Sequence, residues 1–235
     1  MINNLLFISL APVVIIAFYI YSRDIYEKEP LSALIEALFA GVMIVLPTVL
    51  IESVLILPVK GSGSIMSAGY SGFIVAGLTE EGMKFLAFYL FFWRNKNFNE
   101  KFDGIVYAVF IALGFAGVEN IMYVFKGGYG VGITRALTAV PAHALFGIIM
   151  GYYLGQAKFS DSRRKLYLFM ALALPILFHG LYDFLLLANS RMFLTIFIPV
   201  FIYYWIIGFR KMNQLSDESA FKNEIDDQID KGDQI

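Results

Sequence analysis

Long apolar runs separated by short polar turns set the pattern of this chain. The runs are Leu5–Tyr21, Leu31–Leu57, Met66–Trp93, Asp103–Phe125, Ile133–Gln156, Leu166–Ala188 and Met192–Phe209. Each approaches or exceeds the length of about 20 apolar residues that a helix rising ~1.5 Å per residue needs to cross a bilayer. The expected fold is therefore all-α, a polytopic membrane protein with seven transmembrane helices. Between the runs lie the charged turn Ser22–Pro30, the Gly/Ser-rich stretch Lys60–Gly72, the polar turn Arg94–Lys101, the glycine-rich connector Lys126–Gly132 and the basic patch Lys158–Lys165. Asp103 and Gly104 read as the cap of the fourth helix. No Lys or Arg precedes the first run, so it reads as a retained span and not as a cleavable signal. Residues 1–212 form the expected transmembrane domain, and residues 213–235 an acidic tail expected to be disordered.

Composition agrees with a membrane chain: of 235 residues 59% are hydrophobic and 16% charged, apolar-rich and charge-poor against soluble domains. The bilayer is thus the first partner implied, and nothing in the charge pattern points to nucleic acid. There is no cysteine, which excludes disulfides, cysteine nucleophiles and thiolate metal sites. Basic residues orient the chain. Eleven lie in the odd-numbered turns and at the start of the tail: Arg23, Lys28, Arg94, Lys96, Lys101, Lys158, Arg163, Arg164, Lys165, Arg210 and Lys211. Four lie on the other side, Lys60, Lys126, Arg135 and Arg191, so the N-terminus is expected outside and the C-terminus in the cytoplasm.

Against this apolar background the sequence LTEEGMKFL, Leu78–Leu86, is the anomaly, with two adjacent carboxylates and a lysine inside the third run. A charge near a bilayer centre costs ~2.5–3.5 kcal/mol on insertion scales, so such groups need partners, water or a changed protonation state. Glu80 and Glu81 are four and three residues from Lys84, close enough for the lysine to neutralise either but not easily both, which leaves one glutamate for general-base work. The alternative is a structural ion pair between helices. The two histidines, His143 and His179, also lie inside apolar runs, as do Glu119, Asn120 and Asp183. Measured from the outer ends of their spans, Glu80, Glu81, His143, His179 and Glu119 fall between midplane and outer face, so one polar cavity can gather them.

Helix faces support that grouping. Ala68, Gly72, Ala76, Glu80 and Lys84 recur every four residues, a small-residue stripe that permits close packing. His143 heads a second stripe through Gly147, Gly151 and Gly155. Asp183 follows His179 by one turn, placed to accept from an imidazole nitrogen and fix its tautomer. Carboxylates with two imidazoles suit activation of water, by glutamate as base or by a metal bound through His143, His179 and Glu80 or Glu119. The zinc-protease helix pattern HExxH is absent. A proton-coupled transporter is the rival from another class, since Glu, His and Asp also build proton relays. The sequence GGYGVG follows no strand and precedes no P-loop lysine, so it reads as a connector and not a phosphate cradle.

Five motifs in order carry a resemblance: EKEP at Glu27–Pro30, LTEEGMK at Leu78–Lys84, DGIVYAVFIALGFAGVENIMY at Asp103–Tyr123, RALTAVPAHALFGIIMGYYLG at Arg135–Gly155 and FHGLYDF at Phe178–Phe184. Over Asp24 to Arg210 the chain resembles the PrsW family of bacterial intramembrane proteases. The resemblance implies a multi-pass protein of the bacterial cytoplasmic membrane that makes the first, site-1 cleavage of a single-pass anti-sigma factor in a stress response. It implies Glu80, Glu81 and His179 as the catalytic core, with His143 in it, and the positions of Lys84, Glu119, Asn120 and Asp183 make them the expected supporting residues. The family is also similar to CAAX-processing proteases, whose pattern departs from this chain at Glu119, where they carry histidine. Those relatives are associated with a metal-free glutamate mechanism and PrsW with a metallopeptidase, so Zn2+ and metal-free chemistry both stay open. The wider group includes the non-catalytic scaffold subunit of gamma-secretase, which makes a membrane scaffold the non-enzyme alternative.

Overall fold

Lipid offers backbone groups no hydrogen-bond partners, so apolar segments satisfy them internally as helices. The computed structural model describes residues 2–188, 190–219 and 221–222. Among them are eight α-helices: α1 (Ile2–Arg23), α2 (Leu31–Leu55), α3 (Ile65–Tyr70), α4 (Thr79–Phe91), α5 (Lys101–Leu137), α6 (Ala139–Lys158), α7 (Arg164–Leu187) and α8 (Arg191–Asp217). A π-helical segment, Ser71–Leu78, joins α3 to α4. The described residues contain no strand. Five stretches are long and apolar enough to cross a membrane: α1, α2, the 58-residue stretch Lys101–Lys158, α7 and α8.

The centre of the molecule is the pair α5 and α6. In the most apolar window of Lys101–Lys158, 78% of the residues are buried, against 22% in α1 and 17% in α8. Helices α1 and α2 pack on α5, α7 packs on α6 and on the π-helical segment, and α8 lies against α6 and α7. The outer helices expose large apolar side chains, among them Phe7, Ile15 and Phe18 of α1 and Ile35, Phe39 and Leu46 of α2, as a lipid-facing surface requires. The expected stripe behind His143 is the seam between α5 and α6. A Cβ on Gly147 would lie 3.0 Å from Val109 Cα, and one on Gly151 or Gly155 would overlap the carbonyl oxygens of Gly104 and Lys101. Only glycine allows backbones this close.

Four expectations change. The fourth helix begins at Lys101, capped by Glu100, while Asp103 sits two residues further in and accepts the Glu100 N–H at 2.7 Å, closing a reciprocal capping box. The glycine-rich stretch Lys126–Gly132 is helical, interrupted only where Gly128 adopts φ 76°, a value glycine takes at no steric cost. The chain thus kinks there and continues to Leu137 before α6 starts. The third apolar run is not one regular helix but α3, the π-helical segment and α4 in succession. Finally, α8 continues through residue 213 to Asp217, so the start of the expected disordered tail is helical, and residues 223–235 lie outside the described residues.

Candidate active site

The π-helical segment immediately precedes the Glu-Glu pair and sets its direction. Its turns hold more residues than α turns, so positions five apart share a face. Gly72 and Gly77 both meet the backbone of α7: a Cβ on Gly72 would lie 2.7 Å from the Gly180 carbonyl oxygen, and one on Gly77 3.0 Å from that of Ile176. The four-residue stripe expected through Gly72, Ala76 and Glu80 is therefore replaced by a five-residue step. Regular α-geometry resumes at Thr79, and the first turns of α4 carry Glu80, Glu81 and Lys84 into the protein interior.

Lys84 does what its spacing seemed to discourage and engages both carboxylates. Its Nζ lies 3.0 Å from Glu80 Oε2 and 2.7 Å from Glu81 Oε1. The ammonium is also 3.1 Å from His143 Nδ1 and 4.5 Å from the centre of the Phe115 ring. Since an ammonium can only donate, this contact makes Nδ1 the acceptor and puts the proton of a neutral His143 on Nε2. That Nε2 lies 2.9 Å from Glu119 Oε2, the oxygen that also receives Arg135 Nη2 at 2.7 Å. Arg135 Nε donates to Asn120 Oδ1 at 3.0 Å, and Asn120 Nδ2 to the Ser9 carbonyl of α1 at 2.8 Å. One hydrogen-bonded chain thus runs from α1 through α5 and α6 to α4.

It continues into α7. His179 Nδ1 lies 2.8 Å from Glu81 Oε1, and its ring stacks on Phe146 with centroids 4.9 Å apart. Glu81, and not Asp183, is therefore the group that orients this imidazole. Asp183 Oδ2 stands 3.6 Å from the opposite nitrogen, Nε2, beyond hydrogen-bond length, because the i,i+4 reach along α7 brings it to the cavity side of the ring. Glu80 Oε1 lies 3.9 Å from the same Nε2.

A cavity of about 570 Å³ opens beside these groups. Glu80, Glu119, His143, His179 and Asp183 line it, whereas Glu81, Lys84 and Asn120 stand behind them. All eight residues expected at the site are thus gathered at or behind one cavity, but the adjacent glutamates differ: Glu80 faces the cavity and Glu81 is fully enclosed. A second cavity, about 300 Å³, lies between α2 and α5, and it shares Glu52, Glu80, Glu119 and Tyr123 with the first. Two participants went unrecognised in the sequence. Arg135 reads there only as one of the charges that orient the chain, and a base two positions inside the apolar run Ile133–Gln156 is the signal that marks it. Glu52, near the C-terminal end of α2, lines both cavities, and its Oε1 is buried without a partner.

The donor set can be tested for a metal. Glu80, Glu81, His143 and His179 each present a ligand atom within 4.8 Å of the others. Within that set the Lys84 ammonium already holds Glu80 Oε2, Glu81 Oε1 and His143 Nδ1. On the cavity side it leaves His179 Nε2 and Glu80 Oε1 unclaimed, and Asp183 Oδ2 joins them from outside the set, the two oxygens at 3.9 and 3.6 Å from the imidazole nitrogen. Glu81 Oε2, also unpartnered, is enclosed behind them. One imidazole and two carboxylates around an open space form a donor set that zinc accepts, with a fourth position for water.

Comparisons with known proteins give the chain its relatives. The model of the PrsW family, described as intramembrane metalloproteases, matches residues 29–208. Protease PrsW of Clostridioides difficile is 38% identical over 224 residues, covering 92% of this chain and 93% of that protein. Protease PrsW of Geobacillus kaustophilus is 41% identical over 188 residues, 80% and 82% of the two chains, and that of Bacillus subtilis is 37% identical over 204, 86% and 91%. No solved structure matches.

Proposed function

Because the chain belongs to the PrsW family of intramembrane metalloproteases, we propose that it makes the site-1 cut in a single-pass, membrane-anchored anti-sigma factor, using water activated at Glu80. The enzyme reading prevails over the scaffold and transporter alternatives because the relatives are named as proteases. The observation that carries the mechanism is the unequal placement of the glutamates, with Glu80 on the cavity and Glu81 locked between Lys84 and His179.

In this reading seven segments cross the membrane: α1, α2, the run from α3 to α4, the first part of α5, α6, α7 and α8. Loop charges put the N-terminus of α1 outside. The cavity rim, with Ser62, Ser64, Arg135, Ala139 and Leu187, lies at the ends of α2, α5 and α7 that share this outer side. A substrate segment entering there reaches Glu80 from outside the cell membrane.

Lys84 holds Glu80 through Oε2 and leaves Oε1 directed at the space beside His179 Nε2. A water between those two atoms gives its proton to Glu80 as it attacks the peptide carbonyl, and the protonated Glu80 returns that proton to the leaving amine. Glu81 holds the His179 ring from behind, so that Nε2 faces the reacting atoms. Arg135 and Glu119 fix His143, which in turn keeps Lys84 from withdrawing. A family metal would be held by His179 Nε2 and Asp183 Oδ2, which leaves Glu80 Oε1 as the base, and would supply polarisation of the same water and of the carbonyl oxygen.

The test is cleavage of a tagged single-pass anti-sigma factor in detergent by wild type, Glu80→Gln, Glu81→Gln and His179→Ala, with and without a strong chelator. Wild type is expected to cut, and Glu80→Gln to lose at least ~10²-fold in rate, the usual contribution of a general base, while keeping its thermal stability. Glu81→Gln is expected to lose both. Loss of wild-type activity on chelation, restored by Zn2+ but not in His179→Ala, assigns the metal to a site that includes His179, and activity that survives chelation assigns the reaction to a glutamate mechanism without it. Failure of the well-folded wild type to cut would overturn the substrate assignment.

A further inference from the structure

At the opposite ends of α1, α2 and α5 from the cavity, five carboxylates converge: Asp24, Glu27 and Glu29 in the turn between α1 and α2, and Glu100 and Asp103 at the start of α5. Ligand oxygens of Asp24, Glu100 and Asp103 all lie within 4.8 Å of one another, and so do those of Glu27, Glu29 and Asp103, which makes Asp103 the shared member. Asp24, Glu29, Glu100 and Asp103 are buried and Glu27 is partly so.

Three of them repeat one arrangement, an oxygen anchored by the protein and a second oxygen buried without a partner. Asp24 Oδ2 accepts the Glu29 N–H at 3.0 Å, and its Oδ1 is unpartnered. Glu29 Oε2 accepts from the Tyr107 hydroxyl, and its Oε1 is unpartnered. Asp103 Oδ2 accepts the N–H groups of Asn99 and Glu100 at 2.9 and 2.7 Å, and its Oδ1 is unpartnered. Glu27 Oε2 is a fourth such atom. Among the described residues no lysine or arginine forms an ion pair with Asp24, Glu27, Glu29 or Asp103. The contrast with Glu80 and Glu81 is direct, since that buried pair has its own ammonium. Buried carboxylates are tolerated when paired, hydrogen-bonded or coordinated to a metal. Here one oxygen of Asp24, Glu29 and Asp103 is fixed by hydrogen bonds and the other has no positive partner among the described residues.

We propose that this acidic cluster binds a hard divalent cation of the Mg2+ and Ca2+ class, which ties the turn between α1 and α2 to the N-terminus of α5. The donors are oxygens throughout, the chemistry these ions select and zinc or copper sites seldom use alone. The site is separate from the active-site cavity and shares no residue with it.

Thermal unfolding of the full-length protein in detergent, stripped of divalent ions and held slightly alkaline, tests this with Mg2+ and Ca2+ added singly. Wild type is expected to gain several degrees in Tm, saturating with added ion, and the more effective ion identifies the native class. Asp24→Asn with Glu27→Gln leaves the helix cap of Asp103 in place. That variant is expected to start from a higher ion-free Tm, because repulsion is relieved, and to need at least tenfold more ion for any rise. Tb3+ luminescence excited through tyrosine provides a second readout: it is expected to fall in Tyr107→Phe, to be competed by the better ion, and to be unchanged in His179→Ala. A wild-type Tm that neither ion moves, or a response equal in the double variant, would overturn the proposal.

Discussion

The Nζ of Lys84 lies 3.1 Å from Nδ1 of His143, a contact between residues 59 positions apart that fixes an imidazole with an ammonium. It places a cation inside a ring of donors and so joins α4 to α6 before any ligand arrives.

Removing that cation leaves two buried carboxylates, one on the cavity and one enclosed, without its counter-charge. Breaking a buried ion pair costs about 3–5 kcal/mol, so Lys84→Met is expected to unfold at markedly lower temperature than wild type and to be inactive. Adding Glu81→Gln to it should recover much of the stability and none of the activity. A double-mutant cycle on Tm checks both; additive effects would show that Lys84 and Glu81 are not coupled.

Packing of the π-helical segment on α7 gives a second expectation. Valine at position 72 would push its Cβ to 2.7 Å from the Gly180 carbonyl oxygen, and overpacking of this kind costs about 1–3 kcal/mol. The displaced segment carries Glu80 and Glu81 away from His179. Gly72→Val should therefore lose activity far beyond its loss of stability, whereas Gly82→Ala, whose Cβ meets nothing within 4 Å, should be close to wild type in both. Parallel cleavage and unfolding measurements decide.

Arg135 acts on the site through Glu119 and His143. Arg135→Ala is expected to lower the cleavage rate about tenfold with little change in the amount of folded protein. Arg135→Lys should recover only part, since a single ammonium cannot serve Glu119 and Asn120 in the fork geometry that guanidinium provides. Full activity in the alanine variant would remove Arg135 from the positioning chain.

The turn after α1 gives stability a pH dependence. Burial pushes the Asp24 carboxyl up from its ordinary 3.8 to about 7, and burial likewise lifts Glu29 to about 7. Unfolding lets both release their protons near pH 4, so between about 4 and 7 the folded state binds more protons than the unfolded one. Stability contributed by their neutral forms is complete below that window, falls as pH rises through it and is lost above about 7. In chelator, Tm should decline from about pH 5 to about pH 8, and Asp24→Asn should flatten the decline. A Tm that rose across this range would contradict the assignment.

Much of the molecule was legible because lipid imposes simple rules. Apolar length located the helices, and polar residues inside them marked the site, since each carries a cost that structure must offset. Helical spacing gave the glycine seam behind His143 correctly. It misled at Gly72, Ala76 and Glu80, because periodicity assumes α-geometry and the π-helical turns advance by five. It also misplaced the partner of His179: Asp183 is the near neighbour along the helix, but Glu81 arrives from another helix 98 positions away. Arg135 escaped for a related reason, since the kink at Gly128 extends α5 past a stretch whose glycines read as a loop.

The π-helical segment has one more consequence, which concerns chain length and not chemistry. Residues 71–78 act as a spacer: their wide turns set the direction in which α4 starts, so taking one residue out while that winding persists rotates and shortens everything downstream by about one residue's step. Glu80 and Glu81 would then turn away from His143 and His179, together with Lys84, which rides on the same helix, even though every catalytic side chain was still present. The aim of this active site is stored in a residue count, so a deletion remote from any functional group can disarm it as completely as the loss of Glu80.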